Sequence, residues 1–541
     1  MGWQNGYRLL YERIMKRIAT PVIVGAAQYT QARNALPALD PLSLMATASR
    51  LAIEDTGVDQ QMMRVIDAVC VVNLFTWIYR NAPQSLCEKL GIQATSLNYG
   101  PIGGNTPQML VNQYCRAIAN GECQAVLITG AEAVYGLNRA LRGNVPFDWP
   151  EQESQPFLED HPAAVNFDVL LRAGDGLESM TLEGYRYPLN NVEEAYDLYL
   201  PHFMYPFFET ALRAAAQESV EEHRNRLGKL CHNLCAVAAR NPYAWSRSLL
   251  SAEDITRPGE QNRMIVYPYT KFMMANINVD LAAGVILTSE EMAATIGIDR
   301  SRWVYPLGGA DLRNVWHVSQ RPCLVDSPAL TEAARLSLEQ ANLSMDDIGA
   351  FDIYSCFPSA VEIARQSLRL AANDLRGLSV TGGLPYFGGP GNNYSLHAIA
   401  AITDKIRSNP KLKAMITANG WYNSKQSVGI YGATTPGNRW EYRDDSSVQK
   451  EIERQELPLP VEKASGPLTI EAYMIRHDAA GAPERGTVIG RLADGRRALA
   501  DIEAAPEDLD RMEKTELVGK TGKVSYVPER GKNMIIVTAI I

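Results

Sequence analysis

The sequence predicts an α/β protein made of a duplicated unit, interrupted by a long insert and followed by a small β-barrel. Three observations carry this. Two pairs of helix-to-strand stretches recur in the same order at a nearly constant offset. The first copy contains a long segment of different composition. From about Pro467 the pattern changes to short alternating strands.

The duplication begins with SRLAIEDTGV (49–58), followed by IDAVCVV, and its counterpart ARLSLEQANL (334–343), followed by IGAFDIY. Arg50, Leu51, Ile53 and Glu54 correspond to Arg335, Leu336, Leu338 and Glu339. Apolar residues at helical spacing, a turn-prone residue and a short apolar run predict a helix leading to a buried strand. The second pair is GGNTPQMLVNQYCRAIANGECQAVLITG (103–130) and GNNYSLHAIAAITDKIRSNPKLKAMITANG (391–420). Ile118, Ile128 and Thr129 match Ile406, Ile416 and Thr417. Repeated βα units imply parallel sheets covered by helices. They also place two glycine-rich loops at two helix N-termini, whose first amides favour anions and oxyanions. In a pseudo-twofold arrangement both ends would face one pocket.

The expected domains are 20–145 with 265–300 for the first half and 146–264 for the insert. They continue with 301–435 for the second half, 436–466 for a polar linker and 467–541 for the barrel. In the insert, PHFMYPFFETALRAAAQES and EEHRNRLGKLCHNLCAVAARNPYAWSRS read as two helices and a turn. In the last segment LTIEAYMI, GTVIGRL, RRALADI, GKVSYV and NMIIVTAII read as five short strands, the pattern of an oligonucleotide-binding (OB) type barrel. That architecture does not imply nucleic acid.

Composition excludes several classes. The 541 residues are 46% apolar and 21% charged with a net charge of −9, which is ordinary for a globular protein too long for one core. No basic run dominates, so nucleic acid is not an expected partner. No apolar run reaches the roughly 18 residues that span a bilayer, and residues 1–20 form an amphipathic stretch without a signal-peptide centre. The eight cysteines are dispersed, which points to reduced, cytoplasmic usage rather than a disulfide framework. Cys231 and Cys235 flank His232 in LCHNLC, but no further metal ligands lie at suitable spacing. In YPYTKFMMANINVD, which precedes Asp280 and includes Lys271, Tyr267 and Tyr269 read as strand-end tyrosines that line a pocket or fill the core.

These halves, glycine-rich helix starts and insert resemble the thiolase superfamily over about residues 20–435. EHRNRL…NPYAW (222–245) is similar to its sterol-carrier-protein-thiolase branch. YSCFPSAVE (354–362) is similar to the motif that reads His-Asp-Cys-Phe there, and VTGGLPYFGGPGNN (380–393) resembles the Gly-Gly…Gly-His-Pro…Gly motif. With its extra C-terminal domain, the chain looks most like the thiolase-like protein type 1 group. The resemblance implies a duplicated five-layer αβαβα fold. It also implies an acyl-coenzyme A (acyl-CoA) ligand, no required cofactor, and a homodimer through the first-half sheet.

The chemistry departs from the family at four positions. The nucleophilic cysteine is replaced by Gly103 or Gly104, the motif histidines by Tyr354 and Gly389, and the second cysteine by Ala418 or Asn419. A phenol is a poor base at neutral pH and a good donor to an enolate or thioester oxygen. Tyr354, His397 and Asn419 are therefore the candidate catalytic residues, with His397 equally readable as a packed core histidine. Gly103, Gly104, Asn105, Gly388, Gly389, Asn393 and Trp421 are the candidate pocket. Arg224, Arg226 and Arg240 of the insert are the candidate coenzyme A (CoA) contacts, since phosphates select guanidinium groups. The expected function is acyl-CoA binding with unconventional carbon–carbon chemistry such as retro-aldol cleavage. The alternatives are a noncatalytic acyl-CoA or lipid-binding protein and an acetyl-CoA acetyltransferase-like enzyme using Cys356 or Cys115.

Overall fold

The structure is a computed structural model and describes residues 19–143, 148–152, 187–371, 374–440 and 443–537; the amphipathic N-terminal stretch lies outside them apart from residues 19 and 20. The strands are β1 (Pro21–Thr30), β2 (Ala68–Val71), β3 (Ser96–Tyr99), β4 (Ala125–Ala133), β5 (Met264–Tyr267), β6 (Tyr269–Thr270), β7 (Asp280–Ser289) and β8 (Tyr305–Arg313). They continue with β9 (Ala350–Ile353), β10 (Ala414–Gly420), β11 (Lys425–Gly432), β12 (Ser465–His477), β13 (Pro483–Leu492), β14 (Arg497–Ile502), β15 (Thr521–Val527) and β16 (Lys532–Val537). The seven helices that organise the fold are α1 (Pro41–Glu54), α2 (Thr106–Ala119), α3 (Pro201–Ala215), α4 (Val220–Ala238), α5 (Pro328–Ala341), α6 (Pro358–Ser367) and α7 (Tyr394–Ser408).

The two halves carry the same sheet. The first runs β1-β7-β4-β2-β3 and the second β8-β11-β10-β9, so the second lacks only a counterpart of β3. The expected all-parallel sheets are in fact mixed. The repeated βα units do pair in parallel, β2 with β4 and β9 with β10. Each is followed by an antiparallel strand, β7 in the first half and β11 in the second. In the second half a turn of only four residues joins β10 to β11, and so short a link permits antiparallel pairing alone.

Helix starts follow local chemistry. Asp40 caps α1 by accepting from the Leu42 and Ser43 amides, with Pro41 at the first turn; Ser327 caps α5 ahead of Pro328 in the same way. These two helices cover the outer faces of the two sheets. The repeated helices α2 and α7 lie between the sheets and touch both, completing five layers. Being covered on all sides, α2 buries polar residues too, and Gln108 and Asn112 among them are paired in a chain. Tyr431 donates to Gln108 Oε1 (2.7 Å), Gln108 to Asn112 Oδ1 (2.9 Å), and Asn112 to Asp311 Oδ1 (3.1 Å).

The last segment closes a barrel in the order β12-β13-β14-β16-β15 and back to β12, with β14 and β16 parallel. This is the expected OB-type barrel, and its strands match the five predicted runs. One assignment changes. Residues 265–270 do not belong to the first half: β5 pairs with β12 at Tyr267–Ile475 and Val266–Arg476, extending the barrel sheet, and the first sheet resumes only at Asp280. The polar linker also holds a helix, Ser446–Glu453.

A buried arginine fastens the barrel to the insert. Arg213 of α3 is 1% exposed and forms a bidentate pair with Glu516 (2.8 and 3.1 Å). It also donates to the hydroxyls of Tyr267 (2.7 Å) and Tyr473 (2.8 Å). Replacing it removes the one group that ties all three together, leaving Tyr473 only the Thr515 carbonyl (3.1 Å) and Glu516 only the Val518 amide (2.8 Å). Arg213→Met should lower unfolding stability by about 3 kcal/mol, measured by urea titration. Lysine at this position should fail to restore it, since an ammonium lacks the planar fork.

Candidate functional site

The two glycine-rich loops meet. The Gly103 amide donates to Asn392 Oδ1 (2.9 Å), and Ser395 Oγ donates to the Gly104 carbonyl (2.7 Å). Asn393 Nδ2 reaches the Gly130 carbonyl at 2.7 Å. Helices α2 and α7 therefore begin side by side in the central layer, and neither has a side-chain cap bond at its N-cap, Asn105 or Asn393. Gly103 has φ +151°, which an L side chain rarely adopts.

Three of the four altered motif positions converge here. A β-carbon on Gly104 would fall on the Tyr354 hydroxyl, 2.5 Å from ring carbon Cζ and 2.7 Å from the Asn419 carbonyl oxygen. The phenol thus occupies the space where a side chain at Gly104 would begin. That identifies Gly104, rather than Gly103, as the residue facing the other motifs. Gly389 lies apart: its neighbours are Ala275, Leu384 and the Asn276 carbonyl. Gly388, at φ +119°, packs against Leu281, Val279 and Trp245.

Tyr354 is 8% exposed and its hydroxyl makes no hydrogen bond among the described residues. Burial raises its pKa, so it stays a neutral donor. Its ring meets Tyr394 edge-on at 5.6 Å, and Tyr394 donates to Asp352 (3.0 Å), which fixes the ring stack.

Asn419 is in place, but its carboxamide is engaged. Tyr205 of α3 accepts from Asn419 Nδ2 (3.1 Å) and the Asn423 amide (3.1 Å) and donates to the Trp421 carbonyl (3.0 Å). The residue presented to Gly104 is the Asn419 carbonyl. Tyr205 and Arg321 hold the β10–β11 turn, in which Trp421 (φ +57°) and Asn423 (φ +59°) are both left-handed. Such residues cost about 1–2 kcal/mol each. Arg321 offsets this with bonds to the Tyr422 carbonyl (2.8 Å) and Ser424 Oγ (2.9 Å). Arg497 of the barrel in turn donates to the carbonyls of Ser319 (2.9 Å) and Arg321 (2.7 Å).

His397 does not join this cluster. It is fully buried, bonds Gln28 of β1 through Nδ1 (3.1 Å) and contacts Phe387; burial pushes its pKa down to about 3. It is a neutral core histidine, the second of its two sequence readings. The arginines also fall differently. Arg226 is committed to Glu218 (2.8 Å) and Glu362 (2.9 Å), pinning α4 to α6. Arg224 and Arg240 are exposed, but the helix between Arg224 and Ala238 alone spans about 21 Å. They cannot grip one phosphate cluster. In LCHNLC, His232 bonds the Leu250 carbonyl and Cys235 the Ser248 carbonyl. Tyr267 and Tyr269 are core residues, the latter bonded to Glu209 (2.7 Å). No metal-binding cluster occurs among the described residues.

Sequence reasoning missed Asn392, Ser395, Tyr205, Glu132 and Lys425. Glu132 accepts from the Phe75 and Thr76 amides (3.0 and 2.9 Å) and sits against Gly391; burial raises its pKa to about 7. Lys425 donates to the Ile102 carbonyl (2.7 Å) and lies 3.5 Å from a β-carbon position on Gly103. Burial, then Arg313, lowers its pKa to about 8. Only the GNN run that contains Asn392 carried a sequence signal.

Comparison with known proteins places this geometry. Residues 447–526 match the thiolase-like protein type 1 additional C-terminal domain. A monomeric SCP2-thiolase-like protein type 1 from Mycobacterium smegmatis is 30% identical, with a TM-score of 0.77, covering 96% of this chain and 99% of that one. Its monomeric state does not support the dimer that the wider resemblance implies. The Ltp2-ChsH2(DUF35) aldolase is 17% identical with a TM-score of 0.55, covering 76% of this chain and 97% of that one. Human mitochondrial 3-ketoacyl-CoA thiolase in complex with CoA is 15% identical with a TM-score of 0.51, covering 77% and 99%. No curated protein matches. No described helix is long and apolar enough to cross a membrane.

Gly104 and Tyr354 should be energetically coupled. Gly104→Ala should destabilise by about 1–3 kcal/mol, because its methyl displaces the phenol. In combination with Tyr354→Ala the penalty should shrink by on the order of 1 kcal/mol. Simple additivity in a denaturation double-mutant cycle would refute the contact.

Proposed function

The chain belongs to the SCP2-thiolase-like protein type 1 family, and on that premise we propose that it binds acyl-CoA thioesters and acts on them without a cysteine nucleophile. The observation that carries this is the Tyr354 hydroxyl resting over Gly104, where a thiolase would carry its thiol. The pocket's reactive position holds a neutral hydrogen-bond donor.

Retro-aldol cleavage of a β-hydroxyacyl thioester suits such a donor. A base removes the hydroxyl proton, the bond between the α- and β-carbons breaks, and a carbonyl product leaves. The electron pair passes to the thioester as an enolate, which Tyr354 stabilises by donating to its oxygen, and the α-carbon then takes up a proton. The fold shared with the Ltp2-ChsH2(DUF35) aldolase supports the reading. The complex of a thiolase-fold neighbour with CoA supports the ligand class.

Acyl transfer through a cysteine is disfavoured on this chain. Cys356 is pushed up to about 12 by burial, and burial inside the central layer raises Cys115 as well. Neither supplies thiolate near neutral pH. A noncatalytic acyl-CoA-binding protein is the second reading. It is favoured by the absence, among the described residues, of a base bonded to Tyr354 and by the burial of His397 away from the cluster, on Gln28.

The readings separate on one variant. Calorimetry should show acetyl-CoA binding to the wild type. Tyr354→Phe should leave binding within a few-fold and reduce cleavage of β-hydroxyacyl-CoA by on the order of a hundredfold, as for loss of one oxyanion donor. Binding without any turnover in the wild type would establish the noncatalytic reading. No binding at all would sink both.

A further inference from the structure

Lys425 carries a charge that no carboxylate among the described residues answers. Its ammonium bonds one carbonyl, that of Ile102, and no described carboxylate pairs with it. Two indoles flank it, Trp316 at 5.9 Å and Trp421 at 6.0 Å. Aromatic faces attract a cation but do not neutralise it. The residue directly opposite it across the β8–β11 ladder is Arg313, a like charge whose own partner is Glu453 (3.2 Å), so no carboxylate is shared with Lys425. The Lys425 side chain is partly buried, so water screens its charge poorly.

The place of this charge is specific. Gly103 precedes Gly104, so the ammonium stands beside the turn over which the Tyr354 hydroxyl rests. On the acyl thioester reading this is where the acyl group arrives. The phosphates of CoA lie the whole pantetheine arm away from the thioester sulfur and do not reach here. The enolate oxygen is served by Tyr354. An anion permanently present on the acyl group is the partner that remains.

Resting on the reading of the site as an acyl thioester pocket, we propose that Lys425 recognises a carboxylate carried on the acyl part of the ligand, so that the substrate class is a carboxyacyl-CoA. Trp316 and Trp421 form the walls of this subsite, and the lowered ammonium pKa records the desolvation that a carboxylate relieves.

The test compares thioesters of equal chain length, succinyl-CoA with butyryl-CoA and glutaryl-CoA with valeryl-CoA, by calorimetry at neutral pH. All four share the same phosphates, so the ratio within each pair isolates the acyl carboxylate. The wild type should favour the carboxylated member by on the order of tenfold or more, the value of a charge-assisted bond. Lys425→Met should collapse that ratio, and Lys425→Arg should retain most of it. Labelling of Lys425 in the wild-type protein by trinitrobenzenesulfonate gives a second measurement that does not depend on a variant folding. Succinyl-CoA should slow it and butyryl-CoA should not. Equal affinity within both pairs, or equal protection, overturns this proposal and leaves the thioester reading standing. Failure of all four to bind overturns the thioester reading, and this proposal with it.

Discussion

The site depends on the close approach of two helix starts in the middle layer of the fold. Gly103 and Gly104 lie against Asn392 and Ser395 with bonds of 2.9 and 2.7 Å. Helices α2 and α7 can begin this near each other because the contacting residues on one side have no side chain. The duplication explains why two such starts exist. The sandwich between two sheets explains why they cannot separate. Everything functional is then placed from behind, by residues packing onto a bare backbone rather than by a side chain projecting from it.

The insert and the barrel complete that placement. The β10–β11 turn brings the Asn419 carbonyl, Trp421 and Lys425 to the glycines, and it does so with two non-glycine residues in the left-handed region. Such a turn would relax if it were free. Tyr205 of the insert and Arg321 bind its backbone, and Arg497 of the barrel binds the carbonyls on either side of Arg321's own turn. Arg213 and the β5–β12 pairing keep insert and barrel in one body. The C-terminal domain is thereby a structural support of the site, connected to it by two buried arginines in succession.

Much of this was legible in the sequence where the signal is local. Apolar periodicity located both repeats, and the alternating runs after Pro467 located all five barrel strands. The replaced motif positions were readable residue by residue, and three of them converge. The rest depends on long-range partners that leave no local mark. Nothing in MIVYPYT distinguishes a strand of the first half from one that pairs with the barrel more than 200 residues later. Arg226 looked like a phosphate ligand because Glu362, its partner on another helix, is remote in sequence. Lys425 reads as an ordinary solvated lysine after a turn until the fold sets it between two tryptophans.

The loss of the nucleophile changes the electrostatics of the pocket as well as its chemistry. A thiolate beside a helix N-terminus is stabilised by the helix and neutralises part of its field. Here two helix starts face the same turn, and the group that replaces the thiol is a phenol whose raised pKa keeps it uncharged. The phenol leaves the positive end of α2 uncompensated and Lys425 adds to it, while the Glu132 carboxyl sits at the start of α7. Beside Gly103 and Gly104 the positive charge therefore exceeds the negative charge that the described residues supply. The excess points outward, to the ligand. An enzyme that forms an acylated cysteine carries its anion with it, whereas on the proposed reading of this site the anion comes with the ligand.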